Sequence, residues 1–322
     1  MRIVITGGNG YIGARLSLHL ADLGNEVMPV CFPSIPKDED WKNKMFTILE
    51  GDLRHVETLE KIVVLKPDAL IHLVSLDRFD SEKEPGFVNE VNVLPTWRLL
   101  EACTKTGLKK FIYFSTIQVY GNIPISIIDE SHPVCPVNTY GLTHRLSEEI
   151  CDFYNRKTTT NVIIVRLSNS YGTPLFDENN CWWLAINDLC KSAFLKKEIK
   201  LLSDGTPQRD FLHGNDICIA VDRLLDSDIK NSDNNIYHVS SGKTCTILEL
   251  AKIIRDVYLD RYGQFLPVST PDKIISDFAI PVDIGRYQIS NERIKCLGFS
   301  PEYDLVFGIN DLFNYFENIA II

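Results

Sequence analysis

Thr6-Gly7-Gly8-Asn9-Gly10-Tyr11-Ile12-Gly13 follows directly on the apolar run Ile3-Val4-Ile5 near the start of this 322-residue chain. A buried strand that runs into glycines and then into a helix presents bare backbone N–H groups to a phosphate. Two spacings are satisfied together, Gly8-x-Gly10-x-x-Gly13 and Gly7-x-x-Gly10-x-x-Gly13. They suit a tight turn, close approach of a pyrophosphate, and close packing of the next helix on the strand. Ile12, Leu16, Leu20 and Leu23 then fall on one helical face, and Gly24 stands where a C-cap belongs. A glycine loop without a ligand remains the alternative reading of the spacing alone.

Working outward, the first half alternates strand-like and helix-like segments, as a doubly wound parallel sheet requires. Strands are predicted at Glu26 to Phe32, Phe46 to Leu49, Ala69 to Val74, Lys110 to Ser115 and Val162 to Leu167. Helices are predicted over about 55–65, 88–106 and 139–155. Beyond these the pattern loosens. Helices are expected over 182–195, 215–225, 247–258 and 307–316, with short extended pieces at 199–202 and 236–239. The polar stretch 228–235 reads as a flexible loop. There is no internal repeat and no low-complexity tract.

Composition narrows the class of function. Hydrophobic residues make up 45% and charged residues 24% of a chain with net charge −10, which points to a soluble globular protein and away from nucleic acid as a partner. No apolar run approaches the roughly 18 residues of a membrane span, and strand one begins too early to leave room for a signal peptide. Nine cysteines without a CxxC pair read as reduced thiols of a cytoplasmic protein, with no metal implied.

Chemistry is concentrated after strand five. Ser115 and Thr116 place hydroxyls where that strand ends, and Tyr140-Gly141-Leu142-Thr143-His144 opens a helix on which Tyr140 and His144 share a face. A phenol of ordinary pKa about 10 needs nearby positive charge to act as a base.

With these motifs, the chain resembles the extended short-chain dehydrogenases/reductases that modify nucleoside-diphosphate sugars. The likeness extends through Gly51-Asp52-Leu53, Asn92, Val119-Tyr120-Gly121, Arg166-Leu-Ser-Asn169-Ser-Tyr171-Gly172, the run Asp204 to Phe211, and Tyr237-His-Val-Ser-Ser241-Gly242. It implies an α/β fold: a doubly wound parallel Rossmann-type sheet over 1–168, with a returning segment near 210–240. A smaller mixed α/β substrate-binding region would occupy 169–322.

The resemblance also implies a cofactor, NAD with NADP as the alternative, held by Gly7, Gly10, Tyr11, Ile12, Gly13, Asp52, Leu53, Leu73, Val74, Ser75, Asn92, Ser115, Tyr140 and His144. Thr116, Asn169 and Arg209 would bind the substrate, a nucleoside-diphosphate sugar. Tyr140 would exchange a proton while the nicotinamide exchanges hydride with a sugar carbon, usually C4. The helices near 88–106 and 139–155 resemble those that form a homodimer. The residues alone leave other roles open: Thr116 as a strand-end residue, Tyr140 as a packed core tyrosine, Arg209 as an ion-pair partner of Asp210. Asp77 and Arg78 are expected to face the sugar or to sit in a solvated loop; Trp182 and Trp183, to stack on a base or to pack in a helix face.

Three departures stand out. His144 occupies the place of the lysine in the family's Tyr-x-x-x-Lys pattern, which leaves open a variant triad, a slow catalyst or a nucleotide-binding scaffold. Strand two ends Val30-Cys31-Phe32, without the acid that usually meets a ribose hydroxyl. Thr116-Ile117-Gln118 stands where the 4,6-dehydratase branch has Thr-Asp-Glu, which argues against dehydration and for a 4-epimerase, 4-keto reductase or dehydrogenase.

Overall fold

In a computed structural model, the described residues are 1–124, 126–227, 235–275 and 285–320. Within 1–124, β1 (Arg2–Thr6), α1 (Tyr11–Asp22), β2 (Glu26–Cys31), α2 (Glu39–Lys44), β3 (Leu49–Glu50), α3 (Val56–Val64), β4 (Ala69–His72), α4 (Arg78–Lys83), α5 (Pro85–Val88), α6 (Leu94–Thr104) and β5 (Lys110–Thr116) succeed one another. Then follow β6 (Ile127–Ile128), α7 (Thr139–Lys157), β7 (Asn161–Leu167), β8 (Asn169–Tyr171), α8 (Ala185–Lys196), β9 (Ile199–Lys200), β10 (Gln208–His213) and α9 (Gly214–Asp226). The last part holds β11 (Ile236–Val239), β12 (Thr244–Thr246), α10 (Ile247–Tyr262), β13 (Val268–Ser269), β14 (Ile274–Ile275), β15 (Gln288–Ile289), α11 (Glu292–Lys295) and α12 (Leu305–Ala320).

Seven strands form one sheet in the order β11-β7-β5-β4-β1-β2-β3, with every neighbouring pair parallel. Strand order reverses between β1 and β4, and there the crevice for a ligand opens at the carboxyl ends of the strands. Strand alternation explains why both faces are covered. Ile3 and Ile5 of β1 point into a cluster with Leu16 and Leu20 of α1 and Ile217, Val221 and Leu224 of α9. Val4 points the other way, to Leu59 of α3, Leu99 and Leu100 of α6, and Ile150 of α7. A third cluster joins α8, α10 and α12 over the smaller sheets β12-β10-β8 and β14-β13-β9. Among the described residues no helix is long and apolar enough to cross a membrane.

Several expected bounds are corrected. Strand three is Leu49–Glu50, not Phe46–Leu49: Phe46 is more than half exposed and makes one backbone bond to Val27 of β2, at 2.9 Å, but the paired register starts at Leu49. The expected continuous helix over 88–106 is α5, a π-helical stretch Asn89–Val93, and then α6. Pro95 has no N–H to offer the carbonyl four residues back, so the regular ladder is interrupted there. The helix expected from Trp182 begins at Ala185, and the one expected over 307–316 runs from Leu305 to Ala320. The loop expected at 228–235 lies, except for Asn235, outside the described residues.

Candidate active site

The glycine loop lies at the mouth of the crevice. Gly7 has φ +74°, and a Cβ on Gly13 would overlap the Gly7 carbonyl oxygen. Side chains are therefore excluded at both positions. The Gly10 N–H bonds the Gly7 carbonyl at 2.9 Å, and α1 starts at Tyr11 with no side-chain cap and no acid in its first turn. Its first N–H groups and dipole are thus left for an anion. Leu73 and Val74 back the loop, within 3.5 Å of where a Gly7 Cβ would stand. The Tyr11 hydroxyl donates to the Gly172 carbonyl at 3.3 Å, and Ile12 packs on the core.

Three residues expected to bind cofactor also have partners within the chain. Asp52 is gripped by Arg54, whose Nε lies 2.9 Å from one carboxylate oxygen, and these hydrogen bonds hold the carboxyl below its usual range. The Leu53 side chain is buried in the core, which leaves only its backbone for a ligand. Asn92 is internal as well. Its side chain accepts from the Leu76 N–H at 2.8 Å and donates to Thr143 Oγ1 at 3.1 Å, so it ties the segment after β4 to α7.

The helix α7 is capped by Asn138, which accepts from the Gly141 N–H at 2.7 Å. Asn138 also donates to Gln118 Oε1 at 3.1 Å. A Cβ on Gly141 would come within 2.7 Å of the Gln118 carbonyl, so the first turn of α7 lies flat on the 3₁₀ turn Ile117–Tyr120. Thr116 caps that turn through its hydroxyl, which accepts from the Gln118 N–H at 3.2 Å. Tyr140 and Thr116 are brought to the same corner by this packing.

Tyr140 is half-buried, with its ring 4.4 Å from that of His144, centroid to centroid. Burial, and then the charge of Asp77, push the phenol up to about 12. His144 is buried between Tyr113, whose hydroxyl lies 2.8 Å from Nδ1, and Ser75, whose Oγ lies 3.2 Å from Nε2. Desolvation lowers His144 to about 4, with Glu148 pulling weakly the other way. The imidazole is therefore neutral at pH 7 and lends Tyr140 no positive charge.

Ser115 donates to Glu148 Oε1 at 2.6 Å. Glu148 is in turn bound by Arg166 through bonds of 2.9 and 2.8 Å. Arg166 also donates to the Tyr120 hydroxyl at 2.7 Å, which contacts His238 Nε2 at 2.5 Å. Sequence reading missed Tyr113 and Glu148 as parts of the site. Glu148 had a signal, since it follows Tyr140 and His144 at steps of four along one face of α7. Tyr113 had only its place on strand five, facing that helix.

On the substrate side, Asn169 and Arg209 lie on paired strands. Asn169 Nδ2 donates to the Asp210 carbonyl at 2.8 Å, and Arg209 is half-buried with one N–H on the Gln208 carbonyl at 2.6 Å. Asp210 takes N–H bonds from Ser241 and Lys243 instead of pairing with Arg209. Asp77 caps α4, accepting from Phe79 and Asp80 N–H groups at 2.8 Å. Trp182 packs on Tyr315 and Phe316, whereas Trp183 is half exposed. Among the described residues no group of His, Cys, Asp and Glu could hold a metal.

Comparison with known proteins adds the following. The model of the NAD dependent epimerase/dehydratase family matches residues 3–240. A UDP-glucose 4-epimerase of Rhizobium leguminosarum bv. trifolii is 27% identical over 326 residues, covering 94% of this chain and 93% of its own. A dTDP-glucose 4,6-dehydratase of Streptomyces antibioticus is 26% identical over 333 residues, covering 99% and 93%. The solved structure of the UDP-glucose 4-epimerase of Thermotoga maritima with UDP-glucose shares the fold, at a TM-score of 0.83 and 24% identity, over 99% of this chain and 100% of that one.

Proposed function

The chain belongs to the NAD dependent epimerase/dehydratase family, and from that premise we propose that it is an NAD-using 4-epimerase of a nucleoside-diphosphate hexose. The observation that carries this reading is the corner where the first turn of α7, with Tyr140 and His144, lies on the turn after β5 that Thr116 caps. The glycine loop and the uncapped start of α1 suit a pyrophosphate. Thr116 would hydrogen-bond the reacting sugar oxygen and Tyr140 would carry its proton. NAD would accept hydride from the sugar carbon and return it. Asn169 and the half-buried Arg209 would hold the substrate diphosphate. NAD fits better than NADP, because β2 ends in Val30-Cys31 and Phe32 follows, with no basic residue among the three to meet a 2′-phosphate.

Dehydration is disfavoured, although dehydratases are among the relatives. Where elimination needs two carboxylates, Ile117 is buried core and Gln118 is bound to Asn138. The division into a cofactor region over 1–168 and a substrate region over 169–322 belongs to the same proposal. So does a homodimer through α6 and α7, and a cytoplasmic setting in which the free thiols stay reduced.

A second reading is favoured by the neutral, buried His144: a slow catalyst, or a scaffold that holds nucleotides without turning them over. One experiment separates them. Purified protein with NAD is mixed with UDP-glucose, UDP-galactose and dTDP-glucose, and nicotinamide absorbance and sugar products are followed. Epimerisation that falls by about 10²–10⁴-fold in Tyr140→Phe supports the enzyme. A rise in melting temperature with no product from any sugar overturns it in favour of the scaffold.

A further inference from the structure

Histidine in this position has a property that a lysine lacks, namely two nitrogens of opposite hydrogen-bonding sense, and the protons around it can be counted. The Ser75 hydroxyl lies 2.8 Å from the Leu76 carbonyl, which can only accept. Its single proton is committed there, so toward His144 Nε2 at 3.2 Å Ser75 offers only a lone pair. Nε2 must therefore carry a proton. On the other side the Tyr113 phenol, which burial keeps protonated, lies 2.8 Å from Nδ1. A bare Nδ1 completes the pattern, with Tyr113 as donor.

We infer that Ser75 and Tyr113 are positioning residues that clamp His144 in the Nε2–H tautomer, its N–H given to Ser75 Oγ and its lone pair at Nδ1 taken up by the Tyr113 proton, so that the ring beside Tyr140 is held neutral and fixed. The inference rests on the proposed redox role of this corner and deepens it. The alternative with both nitrogens protonated is opposed by the surroundings. His72 faces the ring from β4, Tyr113 from β5 and Ser75 from the segment after β4, and none of them carries negative charge. On α7 itself stand Tyr140, whose phenol is protonated, and Glu148. Glu148 alone favours imidazolium, but its oxygens are already engaged by Arg166, Arg145 and Ser115. With Nε2 protonated and Nδ1 occupied by the Tyr113 proton, the ring has no free lone pair and cannot compete with Tyr140 as a base.

Long-range ¹H–¹⁵N correlation of the histidine rings in the full chain at pH 7 tests this, with His144 assigned by its loss in His144→Gln. Wild type is expected to show the Nε2–H pattern without averaging. An Nδ1–H or imidazolium pattern overturns the inference, whatever the enzyme does. In Tyr113→Phe the donor to Nδ1 is gone, and the tautomer ratio is expected to move about fivefold toward Nδ1–H, the worth of one hydrogen bond. Its kcat is expected to fall about tenfold or more with KM within about twofold, while Ser75→Thr, which keeps the hydroxyl, retains the wild-type pattern. A shifted tautomer in Tyr113→Phe with unchanged kcat overturns the positioning role. Wild type that converts no nucleotide sugar instead fails the functional reading, and the tautomer pattern is read independently of it.

Discussion

At the scale of the residue, the question is what would activate Tyr140 in its proposed role as base. Burial raises its phenol to about 12, and the ring set edge-on against it is an imidazole held near 4. No charge from His144 stabilises the phenolate at pH 7, so the apparent base should titrate on the alkaline side. The expected pH–rate profile rises through pH 8 and above. Replacing the imidazole by an ammonium restores the missing charge. His144→Lys is expected to move the profile down by about one pH unit and to raise the rate at pH 7 about tenfold. A variant no faster than wild type at pH 7, with an unshifted profile, would show that the charge at this position is not what limits Tyr140. Asp77 bears on the same balance, because its carboxylate raises the Tyr140 phenol while capping α4.

At the scale of the element, α6 and α7 share a surface that the single chain leaves open. Leu94 and Trp97 on α6, and Leu142, Leu146 and Phe153 on α7, are all more than a third exposed. Trp97 and Phe153 are the sort of aromatic residue that anchors interfaces. The proposed homodimer would cover them. Sedimentation of wild type is expected to give a dimer and of Leu146→Glu a monomer, since a buried unpaired charge costs several kcal/mol, of order 3–5; a monomeric wild type would sink the proposal. The same two helices show what could be read from sequence. Helix α7 was legible because Tyr140 and His144 stand four residues apart on one helical face, and its expected end at Asn155 falls two residues short of Lys157. The helix expected over 88–106 was legible as helical but not as broken, because local spacing does not report how the chain passes Pro95. Strand three was misplaced for a similar reason: apolar Phe46 looks like a strand residue, yet it lies outside the ladder with β2. In the site, glycines and Tyr140 carry spacing that survives in one dimension. Asp52, Leu53 and Asn92 are expected at the cofactor from the motif, and spacing alone does not report the partners they have within the chain: Arg54 two residues on, the core, and Thr143 across the fold. Tyr113 could not be found at all without knowing that β5 faces α7.

At the scale of the whole molecule, the sheet and its crevice enclose histidines that the fold keeps neutral. His72 is held at about 3, and His144 and His213 at about 4, chiefly by burial; His19 and His238 are lowered as well. In the unfolded chain each regains an ordinary pKa near 6.5. Between pH 6.5 and about 4 the unfolded state therefore binds more protons than the native one, and stability falls as pH falls. Buried carboxyls act in the opposite sense. Asp216 is raised to about 6, and Asp210 and Asp222 are raised too, so in acid these groups take up protons more readily when folded. Five histidines against three aspartates leave a net destabilisation, and it sets in first, because the histidine window opens at 6.5 and that of Asp216 only near 6. The sum is roughly 1–3 kcal/mol lost per pH unit below 6.5, at about 1.4 kcal/mol per uncompensated proton. Glu148, lowered by Arg166, adds a loss of the same sign only below its ordinary range near 4.5. Urea unfolding in steps from pH 7 to pH 5 is expected to show a midpoint that drops steadily, without a change in slope of the transition. A midpoint that stays level or rises over that interval would mean that the aspartates outweigh the histidines, and that the polar interior is built to tolerate acid.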